Sequence, residues 1–228
     1  MKPLTTWQLF AYAGFSFPLA MVALPIYMFV PQFYAQGGLS LAWVGAVLLG
    51  VRLLAAFIDP LLGSWIESGN NAYHRFILIA LPLLLVGFLA LFHPPQPAKV
   101  GMVGLGLWFV VSLSILYLGF SLATIAHQSW GAALAPEAGQ RARITGAREG
   151  CALLGVVLAA SLSARSHLGA LTLAFCACLG LAATCLLAQW AMRRTRILEA
   201  IWKQLRKIGG LTIFHPLHDF RRLSRICT

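Results

Sequence analysis

The chain has 228 residues, of which 60% are hydrophobic and only 10% charged, and its mean hydropathy is +0.81. A soluble domain carries about 25% charged residues, so a water-soluble globule is excluded. The 17 Lys and Arg against 6 Asp and Glu leave a net charge of +11, but that excess sits in short connecting segments and the C-terminal stretch rather than on one helical face. This distribution speaks for membrane topology and against nucleic-acid binding.

The first apolar run, about residues 9–34, contains Pro18, Pro25 and Pro31. In lipid, neighbouring helices can re-satisfy the carbonyls that proline frees, so the run predicts a bent membrane-crossing helix. It is too long and too rich in proline for the core of a signal peptide and is expected to be retained. Tyr34 and Trp43 read as interfacial anchors on either side of a turn at Gly37 and Gly38.

The second run, about residues 41–66, holds Arg52 and Asp59 inside an otherwise apolar crossing. Each such charge costs about 2.5–3.5 kcal/mol on insertion scales. Their spacing is about two helical turns and about 10 Å of rise, so both leave on one face without having to pair. Helical side chains lean towards the N-terminus, so Asp59 leans towards Arg52 while Arg52 leans away. Pro60 loosens the helix beside them. The two read either as a structural ion pair with a snorkelling arginine or as groups on a translocation path, and their cost favours the second.

A polar loop at residues 67–74 leads to a third span at 75–92, which His93, Pro94, Pro95 and Pro97 end. The fourth, about residues 100–125, opens with Gly101, Gly104 and Gly106. With no strand before them, these glycines suit close helix packing and not a phosphate loop. Residues 127–148, with Glu137, Arg141, Arg143 and Arg148, read as the longest loop. The fifth span covers about 149–164, a turn 165–167, and the sixth 168–192.

The fold class is therefore all-α integral membrane with six transmembrane helices, and the even count puts both termini on one side. Lys2, Arg75, Arg141, Arg143 and Arg148 on that side outnumber Lys99 and Arg165 on the other, which makes it the cytoplasmic side. The expected organisation is a six-helix membrane domain over 1–192 and a basic cytoplasmic tail over 193–228. In the tail, Ile197, Ile201, Leu205 and Ile208 recur at helical spacing before Gly209 and Gly210. It reads as a basic amphipathic helix on the inner surface or as an unfolded basic extension.

Cys151, Cys176, Cys178 and Cys185 lie in apolar runs and Cys227 in the tail. They read as packing residues, with no metal site. No nucleophile with its base, no HExxH and no paired catalytic carboxylates appear, so the chain is not expected to be an enzyme or to need a cofactor.

Arg52, Asp59, Pro60, Leu61 and Gly63, in RLLAAFIDPLLG, resemble the second-helix signature R-x-x-D-A-x-x-D-P-x-x-G of the glycoside/pentoside/hexuronide:cation symporters, the melibiose-carrier branch of the major facilitator fold. LFHPP at 91–95 is similar to the end of that family's third helix. WGAALAPEAGQRARITGAREG at 130–150 is similar to its loop between helices four and five. The three matches fall in order over about residues 5–192, and the tail has no counterpart.

The resemblance implies the N-terminal half of a secondary active transporter, carrying a sugar or other organic solute with a proton or sodium ion across the inner (plasma) membrane. By position, Asp59 is the cation-site acid and Ser121 offers it a hydroxyl. Arg52, Thr124 and Arg148 fall on the solute side. Glu67, at the family's loop Asp, would pair with inner-loop arginines as a cytoplasmic gate. Ala55 replaces the signature's first Asp, Thr124 stands where some members have a sugar-binding Asp, Ala133 replaces a common Glu, and the first helix has no acid. One carboxylate makes a poor sodium cage but can carry a proton. His127, where the family often has an aromatic, reads as a polar interfacial residue or a proton relay. Because this fold rocks two six-helix halves about a central site, the implied partners are a small solute, the lipid bilayer, and a second half or a second copy. The competing class is a non-transporting scaffold or truncated product whose basic tail binds anionic lipid or a partner.

Overall fold

A computed structural model describes residues 6–68, 73–134, 137–164, 169–186 and 188, and the described residues form helices with no strand among them. In chain order these are α1 (Thr6–Ala13), α2 (Ser16–Met28), α3 (Val30–Gln36), α4 (Leu41–Ser68), α5 (Tyr73–Phe92), α6 (Pro97–Leu134) and α7 (Ala138–Ala164), followed by α8 (Gly169–Leu186). Six of the resulting runs are long and apolar enough to cross a membrane, the first being Leu9–Met28 across α1 and α2. Helices are what such sequences must form, because lipid offers nothing else to pair with backbone N–H and C=O groups. The proposed tail at 193–228 and the turn at 165–167 lie outside the described residues.

The first crossing is broken rather than smoothly bent. Pro18 has no N–H for the Gly14 carbonyl, which accepts instead from the Phe17 amide at 3.2 Å, while the Tyr12 carbonyl takes a long 3.3 Å bond from Phe15. A second interruption at Phe29 separates α2 from α3 just before Pro31. Gly38, at φ 102°, then turns the chain into α4 in a conformation that other residues rarely adopt.

Prolines at the end of α5 have a similar effect. Pro94 and Pro95 cannot donate to the Ala90 and Leu91 carbonyls. Trp108 Nε1 donates to the first at 2.8 Å and the Tyr34 hydroxyl to the second at 2.8 Å. Tyr34 is accordingly 1% exposed and sits inside the bundle, not at its lipid surface as expected from an interfacial anchor.

Glycines set the closest approaches. A Cβ on Gly87 would lie 2.6 Å from the Leu116 nitrogen, and one on Gly119 2.8 Å from the Leu84 nitrogen, so α5 and α6 meet backbone to backbone through a reciprocal pair. On the other side, Gly155 of α7 lies directly against the Phe17 backbone of α2. Phe88 and Phe175 stack with centroids 4.1 Å apart, which seats α8 on α5. The core runs through Phe15, Met21, Leu84, Phe109, Leu113 and Phe175, all fully buried. By contrast α4 and α7 turn most of their apolar side chains outward, with only 11% and 17% of their crossing windows buried against 56% in α6.

Residues 127–148 do not form the long loop expected from their polarity. α6 continues to Leu134 and α7 starts at Ala138. A helix can carry its own backbone bonding past the hydrocarbon, and Arg141 and Arg143 are simply exposed along the extension. The polar loop at 67–74 shortens for the same reason, since α4 runs to Ser68 and α5 starts at Tyr73.

Candidate functional site

Two neighbouring stripes on α6 organise the polar interior. Ser114, Tyr117, Leu118 and Ser121 follow one another at helical spacing and face α4. Phe120, Thr124, His127 and Gln128 lie on the adjacent stripe and face α2 and α7. Each stripe lines a separate cavity.

The first cavity, about 50 Å³, is closed on the α4 side by Val51, Leu54, Ala55, Ile58 and Asp59. Its volume suits one water or a small ion. Asp59 Oδ1 is buried without a hydrogen-bond partner, an arrangement that costs free energy unless something else meets that oxygen. Ser121 and Ser114 share the cavity; the Ser114 hydroxyl donates to Val110 O at 2.7 Å and keeps its lone pairs. Ala55 lines the wall where a second carboxylate would add charge. Asp59 and Ser121, named together from sequence, are thus brought together here.

Arg52 and Asp59 do not form an ion pair. The Arg52 guanidinium carbon lies 5.3 Å from the centroid of the Tyr27 ring, a cation–π contact. The Tyr27 hydroxyl in turn accepts from Tyr117 at 2.7 Å. Tyr117 lines the Asp59 cavity, so the chain of contacts from Arg52 ends at the wall of that cavity.

The second cavity is larger, about 190 Å³, and lies among α2, α6 and α7. Thr124 and Arg148, both expected on the solute side, line it together, whereas Arg52 does not. Ser16 Oγ and Thr124 Oγ1 are buried without partners, so two of the cavity's hydroxyls are uncommitted. Arg148 holds Glu149 Oε1 through Nη2 at 2.6 Å and Nε at 3.2 Å. Its side chain is 21% exposed and that of Glu149 59%.

His127 is buried and not the polar interfacial residue of the first sequence reading. It is 1% exposed; its Nε2 donates to the Tyr12 carbonyl at 3.0 Å, the Tyr12 hydroxyl donates back to the His127 carbonyl at 2.8 Å, and the rings stack with centroids 4.1 Å apart. The acceptor is the carbonyl left poorly bonded by the break after α1, so the imidazole fastens that break to α6. Gly131 makes the room for the Tyr12 ring.

Glu67 lies one residue before the end of α4, but its side chain falls outside the described residues. Sequence reading missed Ser16, Gln128 and Glu149. Glu149 was visible as the neighbour of Arg148. Ser16 follows Tyr12 by one helical turn, but a lone serine in an apolar run carries little signal. Cys151, Cys176, Cys178 and Cys185 are free and half-buried. Among the described residues no three His, Cys, Asp or Glu side chains are grouped to hold a metal ion.

A family model described as MFS/sugar transport protein matches residues 9–166, which covers both cavities. The chain is also similar to an uncharacterized symporter, YjmB, of Bacillus subtilis (strain 168), at 28% identity over 141 residues. That match takes in 60% of this chain but only 29% of the symporter, so the chain spans less than a third of this relative. No solved structure matches it.

Proposed function

The chain belongs to the MFS/sugar transport protein family, and from that premise we propose that it supplies the first six-helix half of a solute:cation symporter. The signature around Arg52 and Asp59 supports the glycoside/pentoside/hexuronide:cation branch within the family. The carrying observation is the unpartnered Asp59 oxygen, buried in a small cavity with Ser121. A membrane protein that keeps an acid there without an internal partner has a use for an external one. In this reading Asp59 takes the coupling cation, with Ser121 and Ser114 as neutral oxygens. One carboxylate with few supporting ligands suits a proton better than sodium, which wants several oxygens.

The larger cavity takes the solute, with Arg148 and Thr124 as its polar contacts. Arg52, parked on Tyr27, reaches only the wall of the Asp59 cavity, through Tyr117. Ser121 and Thr124 are three residues apart on α6, so a shift of that helix moves both. By the resemblance, Glu67 would close the cytoplasmic end against inner-loop arginines. The outward apolar faces of α4 and α7 are available to a second six-helix half or a second copy. Lys and Arg placement supports an inner-membrane protein with cytoplasmic termini, a membrane domain over 1–192 and a basic tail over 193–228.

The test uses vesicles containing only this chain and a trapped pH dye, with sugars and sugar acids added outside in turn. Solute-dependent proton entry should fall to background in Asp59→Asn. Entry that survives Asp59→Asn and Arg52→Ala together would remove the site assignment.

A further inference from the structure

We infer that the hydroxyls of Tyr27 and Tyr117 carry the proton between the exposed face of α4 and the Asp59 cavity, with Arg52 holding the Tyr27 ring in place. The inference rests on the reading of Asp59 as the site of a coupling proton and supplies the path by which that proton comes and goes.

The lining of the small cavity narrows the choice of route. Val51, Leu54, Ala55, Ile58 and Leu118 form most of its wall, and none of these side chains can hand on a proton. Ser114 turns its hydroxyl back to Val110 O of its own helix. Among the described residues of the lining, Tyr117 is the one whose hydrogen bond leads out of the cavity, since its hydroxyl donates to Tyr27 Oη at 2.7 Å. Tyr117 is 8% exposed and Tyr27 46%, so the pair runs from a buried wall to the surface. At the inner end Asp59 Oδ1 is buried and unpartnered. A cavity of about 50 Å³ holds one water, enough to join that oxygen to Tyr117.

Arg52 indicates what lies over Tyr27. It is exposed, with its guanidinium carbon 5.3 Å from the centroid of the Tyr27 ring. Lipid accepts such a charge only at a cost, so water or another polar group covers this part of α4. That water is the source and the sink of the proton, and the cation–π contact keeps the phenol within reach of Tyr117. In the inward step Tyr27 takes a proton from the surface water as its own passes to Tyr117. The proton of Tyr117 passes to the cavity water, and one from that water passes to Asp59 Oδ1. Each oxygen on the way gives up one proton and takes one, so both phenols stay neutral. The bond then runs from Tyr117 to Tyr27, the sense found in the structure. Release runs the same steps backwards from that state, and rotation of the two hydroxyls resets the path for another inward step.

The test times hydrogen–deuterium exchange at Asp59 itself, in the full chain in nanodiscs. The carboxylic C=O band that disappears in Asp59→Asn is followed by stopped-flow infrared spectroscopy after mixing into heavy water, in samples acidified until that band is present. Tyr117→Phe and Tyr27→Phe keep the rings and should each slow the exchange by about tenfold or more. Tyr34→Phe, which loses a hydroxyl bonded elsewhere in the bundle, should exchange at the wild-type rate. Arg52→Leu should slow exchange several-fold and Arg52→Lys less, since lysine keeps a cation near the ring. Wild-type exchange in Tyr117→Phe or Tyr27→Phe overturns the route, as does an equal change in all three phenylalanine variants, which would report altered packing. Wild-type exchange in both Arg52 variants overturns the part given to the arginine. Absence of an Asp59 carboxylic band at every pH at which the protein stays folded overturns the whole inference. Solute-driven proton entry in vesicles reports separately on transport, so exchange that needs both tyrosines without such entry keeps the route and removes the transport reading.

Discussion

Replacing His127 distinguishes a structural fastener from a proton relay. His127→Ala removes the 3.0 Å bond to the Tyr12 carbonyl and the ring stack at 4.1 Å, and it empties a site that is 1% exposed. Hydrogen bonds inside membrane bundles average about 0.6 kcal/mol with a maximum near 1.7. An aromatic pair adds about 0.5–1.5 kcal/mol, and the cavity left behind adds to both. The expected loss is therefore about 2–4 kcal/mol, from those ranges. His127→Phe keeps the ring and loses only the donor, so its cost should be about 1 kcal/mol. Unfolding in mixed micelles, followed by tryptophan fluorescence, gives both values, and the solute-dependent proton entry that tests the proposed function gives the activity to set beside them. If His127 fastens the break after α1, loss of activity tracks loss of stability and His127→Phe lies between wild type and His127→Ala. A stable but inactive His127→Phe would refute this reasoning and restore the relay.

The closest helix approaches and the proline-freed carbonyls give two further expectations. Gly155→Val puts side-chain atoms into the Phe17 backbone and should cost about 1–3 kcal/mol by overpacking, read as a lower unfolding midpoint, while the same change at Gly150, with nothing nearby, should be milder. Tyr34→Phe removes the donor to the Leu91 carbonyl, which Pro95 cannot serve, so it should lose about 0.5–1.5 kcal/mol in the same assay; a neutral result would mean that another group already satisfies that carbonyl.

The six crossings were legible because each is a local property: an uninterrupted apolar run of sufficient length has to become a helix in lipid. Helix ends were misread where polarity was equated with loop, as at Gln128 and Ser129, which remain in α6. Hydropathy marks where the hydrocarbon stops, but the backbone hydrogen bonds that continue a helix do not depend on it. Asp59 and Ser121 could be paired beforehand only through resemblance, since nothing local relates residues so far apart in the chain.

The amino-acid order alone determined the membrane environment, the six long apolar runs and the costly Arg52 and Asp59 within the second crossing, because burial energy and helical periodicity act over a few turns. Tertiary structure decided that Arg52 rests on Tyr27 instead of Asp59, that Tyr34 and His127 mend carbonyls on other helices, and that Ser16 and Glu149 join Arg148 at one cavity. Each of those outcomes depends on which faces the small residues allow to meet, at Gly87, Gly119 and Gly155. Such contacts join positions tens of residues apart, and a reading of neighbouring residues carries no information about them.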